Sequence, residues 1–171
     1  MTLRARLEEE VRTTLYSQWE TAAGTVIPTA DRLLLNANHA ISLASATVLY
    51  ADIDGSTSMV DRYTWWFSAE VYKAYLRCAA QIIRDSGGTI TAYDGDRVMA
   101  IFIGDSKNTS AAAAALKINS AVLDIIRPAI AARYPGTEFQ LNHVIGIDTS
   151  PLQAARIEGR PGFLKFWPKT R

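Results

Sequence analysis

Two stretches of this chain decide its fold, and the first is TVLYADIDGST at residues 47–57. An apolar run typical of a buried strand ends in two carboxylates, Asp52 and Asp54, and a turn of glycine, serine and threonine follows. The second stretch, TITAYDGDRVMAIF at residues 89–102, carries another carboxylate, Asp96, beside an Asp-Gly pair. Strands that deliver carboxylates to a glycine-containing turn are typical of sites that hold a divalent metal ion against a phosphate.

The composition indicates a globular chain with a local, not a global, site for anions. Its 171 residues, 49% of them hydrophobic, suit one domain with an appended segment. Lys and Arg number 18 against 17 Asp and Glu, and this net charge of +1 argues against nucleic acid as a partner. The single cysteine, Cys78, cannot form an internal disulfide. No apolar run approaches the ~20 residues of a membrane span, so we expect a cytoplasmic protein without a membrane partner.

The chain divides by pattern into three parts. Residues 1–45 read as an N-terminal helix and an irregular connector, residues 46–158 as the catalytic domain, and residues 159–171 as a tail without a predicted place in the fold. The N-terminal helix carries an apolar stripe at steps of four residues. Its members are Leu3, Leu7, Val11, Leu15 and Trp19.

The catalytic part alternates between strand and helix periodicity. We predict a strand at 46–53, a helix at 57–85, a hairpin centred on Asp94-Gly95, a helix at 107–133 and a strand at 139–148. Asp-Gly predicts a hairpin turn in which both of these residues have positive φ. The resulting order is βαββαβ, which predicts an α+β, ferredoxin-like fold with the helices on one face of the sheet.

This topology brings two distant carboxylates together. Right-handed crossover makes the first and second strands parallel, and the third strand fits antiparallel between them. Asp52, at the end of the first strand, then lies at the same sheet edge as Asp96, although 44 positions separate them. Carboxylates are preferred ligands of Mg²⁺, and two ions could activate a ribose 3′-hydroxyl against an α-phosphate.

The turn Asp54-Gly55-Ser56-Thr57 opens a helix and is a candidate phosphate site. Backbone NH groups at a helix N-terminus attract anions, and Gly55 permits close approach of the backbone. The same four residues also match an ordinary helix cap, and Asp96 could be a solvated hairpin residue. The residues alone do not decide between a phosphate site and a helix cap, or between a metal-binding and a solvated Asp96.

Two motifs resemble those of a known enzyme family. TVLYADIDGST is similar to the first metal-binding motif of class III adenylate and guanylate cyclases, and GGTITAYDGDRVMAIF is similar to the second. VIGIDT at 144–149 resembles the core strand that follows, so the likeness covers roughly residues 45–158. It implies a homodimer with shared active sites that cyclises a nucleoside triphosphate using two Mg²⁺ or Mn²⁺ ions.

The resemblance also assigns roles to individual residues. It implies that Asp52 and Asp96 bind the metal ions, that Ile53 contributes its backbone carbonyl, and that residues 55–57 hold phosphate, with Asp54 in the same turn.

Three positions depart from the purine cyclases and favour a pyrimidine. Ala92 stands where those enzymes commonly carry a base-reading lysine, and Arg97 stands where a small residue is common. Tyr50 is on the same strand face as Asp52, so bulky Tyr50 and Arg97 would narrow a purine pocket. Guanidinium donors suit the two carbonyls of uracil. This combination resembles the bacterial pyrimidine cyclases of the Pycsar anti-phage system. The resemblance implies that the product is cyclic UMP or, as the less favoured alternative, cyclic CMP. It also implies that this product is a signal to a separate effector.

Other interpretations remain open at this point. Tyr50 and Arg97, each taken alone, read as a core aromatic and a solvated strand residue, and only their occurrence together with Ala92 favours the pyrimidine interpretation. A purine cyclase with an unusual pocket is one alternative. A catalytically silent cyclase-like domain is another, because no asparagine and arginine pattern of the family follows Asp148, and only Arg156 or Arg160 could approach a triphosphate. An RRM-like RNA binder shares βαββαβ but needs aromatic residues that the central strands lack.

Overall fold

A computed structural model describes residues 1–34, 38–157 and 164–168 of the chain. The helices are α1 (Leu3–Tyr16), α2 (Ser56–Arg62), α3 (Trp65–Asp85), α4 (Lys107–Ala121) and α5 (Arg127–Arg133). The strands are β1 (Glu20–Gly24), β2 (His39–Asp54), β3 (Thr89–Asp94), β4 (Arg97–Phe102), β5 (Asn142–Arg156) and β6 (Leu164–Pro168).

The sheet has the predicted strand arrangement. Its order is β3-β4-β2-β5-β6, and β1 pairs with β2 in parallel. Strand β4 is antiparallel to both β2 and β3 and lies between them, so β2 and β3 are parallel to each other. The α+β, ferredoxin-like βαββαβ order is confirmed.

Alternation along the central strands separates a core face from a second face. Leu49, Ala51 and Ile53 of β2 are buried in the core together with alternate residues of β4. The helices contribute apolar residues at helical spacing to the same core, which is why the pattern predicted them on one face. The core members from α3 are Phe67, Val71, Tyr75, Ala79 and Ile83.

The prediction of one helix at 57–85 is wrong in one respect, because this stretch forms two helices, α2 and α3. The helical backbone ends at Tyr63 and restarts after Thr64, and both of these residues are extended. The Tyr63 ring stacks on that of Phe67 with centroids 4.7 Å apart and meets Phe139 edge-on at 5.5 Å. Packing between these aromatic rings therefore stabilises the chain where the helix is interrupted.

The second long helix spans the predicted range but contains a π-helical turn at Val122–Ile126 between α4 and α5. Pro128, two residues after Ile126, cannot donate a backbone hydrogen bond, which accounts for a change in the hydrogen-bond pattern of the helix here. By length and composition alone, Lys107–Arg133 could cross a membrane. Its buried side, however, belongs to the core, through Ala111, Ala114, Ile118 and Val122.

The structure consists of two compact units, Ala46–Thr149 and a second made of Met1–Ser45 with Ser150–Arg171. In the second unit, α1 has no buried residue, and the predicted irregular connector already becomes strand at His39. The end of β5 pairs antiparallel with β6, which is part of the segment that the sequence left unplaced. Strand β5 also begins later and ends later than the predicted 139–148.

Candidate active site

Strand register places Asp52 and Asp96 at one corner of the sheet. Ala51 of β2 pairs with Val98 of β4, Asp52 is the next residue, and Asp96 immediately precedes β4. Because Ala51 and Ile53 point into the core, the side chain of Asp52 lies on the opposite face. The two carboxylates interact, since the charge of Asp96 raises the pKa of Asp52.

The turn that carries Asp96 differs from the prediction. Asp94 pairs with Arg97, so the two central residues of the turn are Gly95 and Asp96. The prediction that Asp94 and Gly95 are the central residues is therefore wrong. Only Gly95 has a positive φ, 62°, which is the sign pattern of a type II′ turn. A Cβ on Gly95 would meet nothing within 4 Å, so backbone conformation alone makes glycine the preferred residue here. The turn thereby holds Asp96 between two strands.

Electrostatics at this corner favour a bound cation. Burial, followed by the charge of Asp96, raises the pKa of Asp52 above its usual range, while Arg97 opposes this shift. The Oδ2 atom of Asp96 is buried and has no hydrogen-bond partner. An unpartnered buried carboxylate oxygen beside a second carboxylate is costly without a positive ion, so these residues fit a hard divalent metal. No group of three His, Cys, Asp or Glu residues suited to a metal occurs among the described residues.

The predicted phosphate turn follows Asp52 directly. Gly55 adopts the left-handed conformation with φ 71° and is itself the N-cap of α2, and no side chain caps this helix. The interpretation of Asp54, Ser56 or Thr57 as an ordinary side-chain cap is therefore not realised. The first turn of α2 leaves backbone NH groups without helical partners, although this helix has only 7 residues.

The two predicted base-recognition residues lie together. The guanidinium carbon of Arg97 is 5.8 Å from the centroid of the Tyr50 ring. Arg97 Nη2 also donates to Asp94 Oδ2 at 3.1 Å, in an ion pair that is largely exposed. Met99 pairs with Tyr50 on one side and with Ala92 on the other, so these three residues form one row across the sheet. Tyr50 shares its face with Asp52, because side chains alternate along β2.

One residue of this corner was not predicted. Tyr75 of α3 is fully buried, and its hydroxyl donates to the backbone carbonyl oxygen of Asp52 at 3.4 Å. Burial, followed by the charges of Asp52 and Asp96, raises the pKa of Tyr75 well above its usual range. In the sequence Tyr75 is one of five core positions at steps of four, and only its hydroxyl distinguishes it from the others.

The two arginines considered for the triphosphate are not assigned to this corner. Arg156 Nη1 donates to the carbonyl oxygen of Ala30 at 3.4 Å in the other unit. Arg160 lies outside the described residues.

Known proteins of similar sequence and structure are nucleotide cyclases. The chain is 60% identical over 157 residues to a uridylate cyclase of Burkholderia cepacia, covering 92% of this chain and 68% of that protein. It is 56% identical over 142 residues to a uridylate cyclase of Xanthomonas perforans, covering 83% of this chain and 61% of that protein. The adenylyl cyclase CyaB of P. aeruginosa superimposes with a TM-score of 0.65 at 20% identity, covering 77% of this chain and 68% of CyaB.

No protein-family model matches the chain. The fold is that of the class III nucleotidyl cyclase domain. Within that class, the chain belongs to the uridylate cyclase family and spans about two thirds of the length of the curated relatives it matches.

Proposed function

We propose that this protein cyclises UTP to 3′,5′-cyclic UMP and releases pyrophosphate. The observation that carries the proposal is the convergence of Asp52 and Asp96, with a buried oxygen of Asp96 that has no partner. A carboxyl group whose pKa is raised by a neighbouring carboxylate is expected where a cation binds. The identity to two uridylate cyclases supports the choice of nucleotide.

In this reaction the ribose 3′-oxygen forms a bond to the α-phosphorus, the bond from that phosphorus to the bridging oxygen breaks, and the hydroxyl proton leaves to solvent. Bound Mg²⁺ or Mn²⁺ ions supply activation of the 3′-hydroxyl and neutralisation of the phosphate charge. Asp52, Asp96 and the carbonyl of Ile53 would hold these ions. The NH groups of Gly55 to Thr57, with Asp54 in the same turn, would hold the outer phosphates.

The base would lie against the row that contains Tyr50. Arg97 has guanidinium donors for the carbonyls of uracil, and its exposed ion pair with Asp94 is weak enough to be exchanged for a ligand. Ala92 has no polar group for a purine edge. CTP, with one carbonyl fewer, is the less favoured substrate.

The remaining parts of the proposal concern the cellular setting. We propose a cytoplasmic homodimer with active sites shared between the two copies, as the family resemblance implies. The cyclic pyrimidine nucleotide would act as an anti-phage signal on a separate effector. Exposed aromatic side chains of Trp65, Trp66 and Tyr93 are surface that a second copy could cover.

A competition experiment tests the nucleotide assignment. The protein is incubated with equal concentrations of UTP, CTP, ATP and GTP and with Mn²⁺, and the products are separated by chromatography. We expect cyclic UMP as the main product. Arg97→Ala should lower the preference for UTP over ATP roughly tenfold or more, because a site built on hydrogen bonds loses discrimination when its donor is removed. Arg77→Ala, a change of an exposed arginine on α3, is the matched control and should leave the preference unchanged.

Mainly purine products would replace the proposal by a purine cyclase. Stabilisation by nucleotide in a thermal melt, without any cyclic product, would replace it by a silent nucleotide-binding domain.

A further inference from the structure

The contact between Tyr75 and Asp52 joins a core helix to the candidate metal site. Tyr75 is fully buried in the middle of α3, and its ring lies 5.9 Å from that of His143 on β5, measured between centroids. Its hydroxyl donates to the Asp52 carbonyl at 3.4 Å, a long hydrogen bond. A buried hydroxyl without a partner is costly, so packing of the ring also directs the hydroxyl to this carbonyl.

The carbonyl that Tyr75 contacts belongs to the peptide unit between two proposed metal ligands. Asp52 precedes this unit with its carboxylate, and Ile53 follows it with its own carbonyl. The register of β2 with β4 ends at Ala51 and Val98, one residue before Asp52. The peptide after Asp52 therefore lies beyond the registered pairs with β4, and a side chain from the core can determine its orientation.

We infer that Tyr75 is a positioning residue of the metal site: its hydroxyl fixes the peptide between Asp52 and Ile53 and so sets the geometry of both ligands. The inference rests on the proposed function, because it needs a metal ion at Asp52 and Asp96. Groups that orient metal ligands without touching the ion typically change metal affinity or activity about 10- to 100-fold when they are removed.

The test compares Tyr75→Phe with a matched variant on the same helix, Tyr72→Phe. Tyr72 is half-buried, lies one turn earlier on α3, and also loses only a hydroxyl. Mn²⁺ binding is measured by electron paramagnetic resonance, without nucleotide and with 3′-deoxy-UTP, which cannot cyclise. Asp96→Asn serves as the reference for loss of a direct ligand. Thermal melts of every variant report the stability of the fold.

We expect Tyr75→Phe to weaken Mn²⁺ binding about 10- to 100-fold, with a melting temperature close to that of the original protein. Tyr72→Phe should bind Mn²⁺ with unchanged affinity. If Tyr75→Phe does not fold, Tyr75→Met, a flexible side chain that fills the site without a hydroxyl, takes its place.

Three results would overturn the inference, and they differ in what else they affect. Unchanged Mn²⁺ affinity in Tyr75→Phe, while Asp96→Asn loses binding, overturns the role of Tyr75 and leaves the proposed function intact. An equal loss in Tyr72→Phe shows a general effect of α3 and also overturns it. Absence of Mn²⁺ binding in the unmodified protein overturns the metal site and, with it, the role of Tyr75.

Discussion

Two polar clusters stand on strand β2 within the same compact unit, and they differ in how their oxygens are partnered. Asn108 Oδ1 at the start of α4 accepts from Thr47 Oγ1 at 2.6 Å and from Thr149 Oγ1 at 2.9 Å. The two threonine hydroxyls are themselves 2.9 Å apart. At the other cluster, Asp96 Oδ2 is buried with no partner, and Asp52 carries a raised pKa.

This difference in hydrogen-bond partners indicates a structural role for the first cluster and fits the metal-binding role that we propose for the second. Thr47 and Asn108 connect β2 to α4, and neutral groups that partner each other need no further ligand. The carboxylate cluster is not partnered in this way among the described residues, because like charges meet there and Arg97 only opposes the rise in the pKa of Asp52. Partnered polar groups stabilise a fold, whereas the unpartnered oxygen of Asp96 beside Asp52 fits the metal ion that we propose.

The largest expected effect tests the incomplete cluster. Asp96→Asn should lower cyclic UMP formation roughly a hundredfold or more, because a group that holds charge-stabilising ions at the reacting phosphate is lost. Stability should not fall in the absence of metal, since the variant removes the repulsion of Asp52. Turnover assays with Mn²⁺ and urea unfolding without metal measure the two effects.

A result in which Asp96→Asn keeps its activity and becomes markedly less stable would contradict the comparison. Asp96 would then stabilise the fold, as we expect Asn108 to do. Asp94→Asn is the control, since Asp94 carries the same charge in the same hairpin, with an exposed partner, and has no part in the proposed metal site.

An intermediate effect tests the partnered cluster. Asn108→Ala removes the amide oxygen that accepts from Thr47 and Thr149 and leaves each of these hydroxyls with the other as its partner. We therefore expect the free energy of unfolding to fall by about 0.5–1.5 kcal/mol, the net value of a hydrogen bond. Turnover should stay within about twofold of the original, because Asn108 contacts Thr47, which is five residues and roughly 17 Å along β2 from Asp52. Urea unfolding and turnover assays check both values. A loss of activity without loss of stability would show that this cluster serves catalysis.

The smallest expected effect is a dependence of stability on pH in metal-free protein. Because the pKa of Asp52 is raised above its ordinary value of 3.8, its protonated form is favoured in the folded state. Its contribution to stability is therefore fully present below that value and is lost as pH rises through the folded pKa. Urea unfolding at a series of pH values measures the dependence.

Two variants and the addition of Mn²⁺ sharpen this measurement. Asp52→Asn should remove the part of the pH dependence that belongs to this group, whereas Asn108→Ala, which changes no titratable group, should retain it. Addition of Mn²⁺ should restore stability at higher pH, because metal binds the ionised carboxylates. A dependence that persists unchanged in Asp52→Asn would assign it to other groups.

Much of the fold followed from local patterns. Alternation in VLYADID predicted a strand with Leu49 and Ala51 on one face and Tyr50 and Asp52 on the other, and burial in the structure follows that alternation. The strand order followed from crossover rules. The break at Tyr63 and Thr64 could not be predicted, since the ring of Phe139 that packs there comes from a distant part of the chain.

At the candidate site, the sequence predicted which residues take part but not how they are arranged. Asp-Gly pointed to a turn, but strand register shifted its centre to Gly95 and Asp96. Local sequence encodes neither that register nor the irregular pairing between Ile90 and Ala92 further along the same hairpin. The proximity of Arg97 to the Tyr50 ring likewise depends on the pairing of β2 with β4.

The amino-acid sequence by itself determined the strand faces, the helix-bearing side of the sheet and the identity of the acidic residues, because these depend on periodicities of two and 3.6 residues. Only the tertiary structure decided that one oxygen of Asp96 is buried without a partner and that Tyr75 reaches the backbone of Asp52. Both depend on burial and on contacts between residues far apart in the chain, which are properties of packing and not of local pattern.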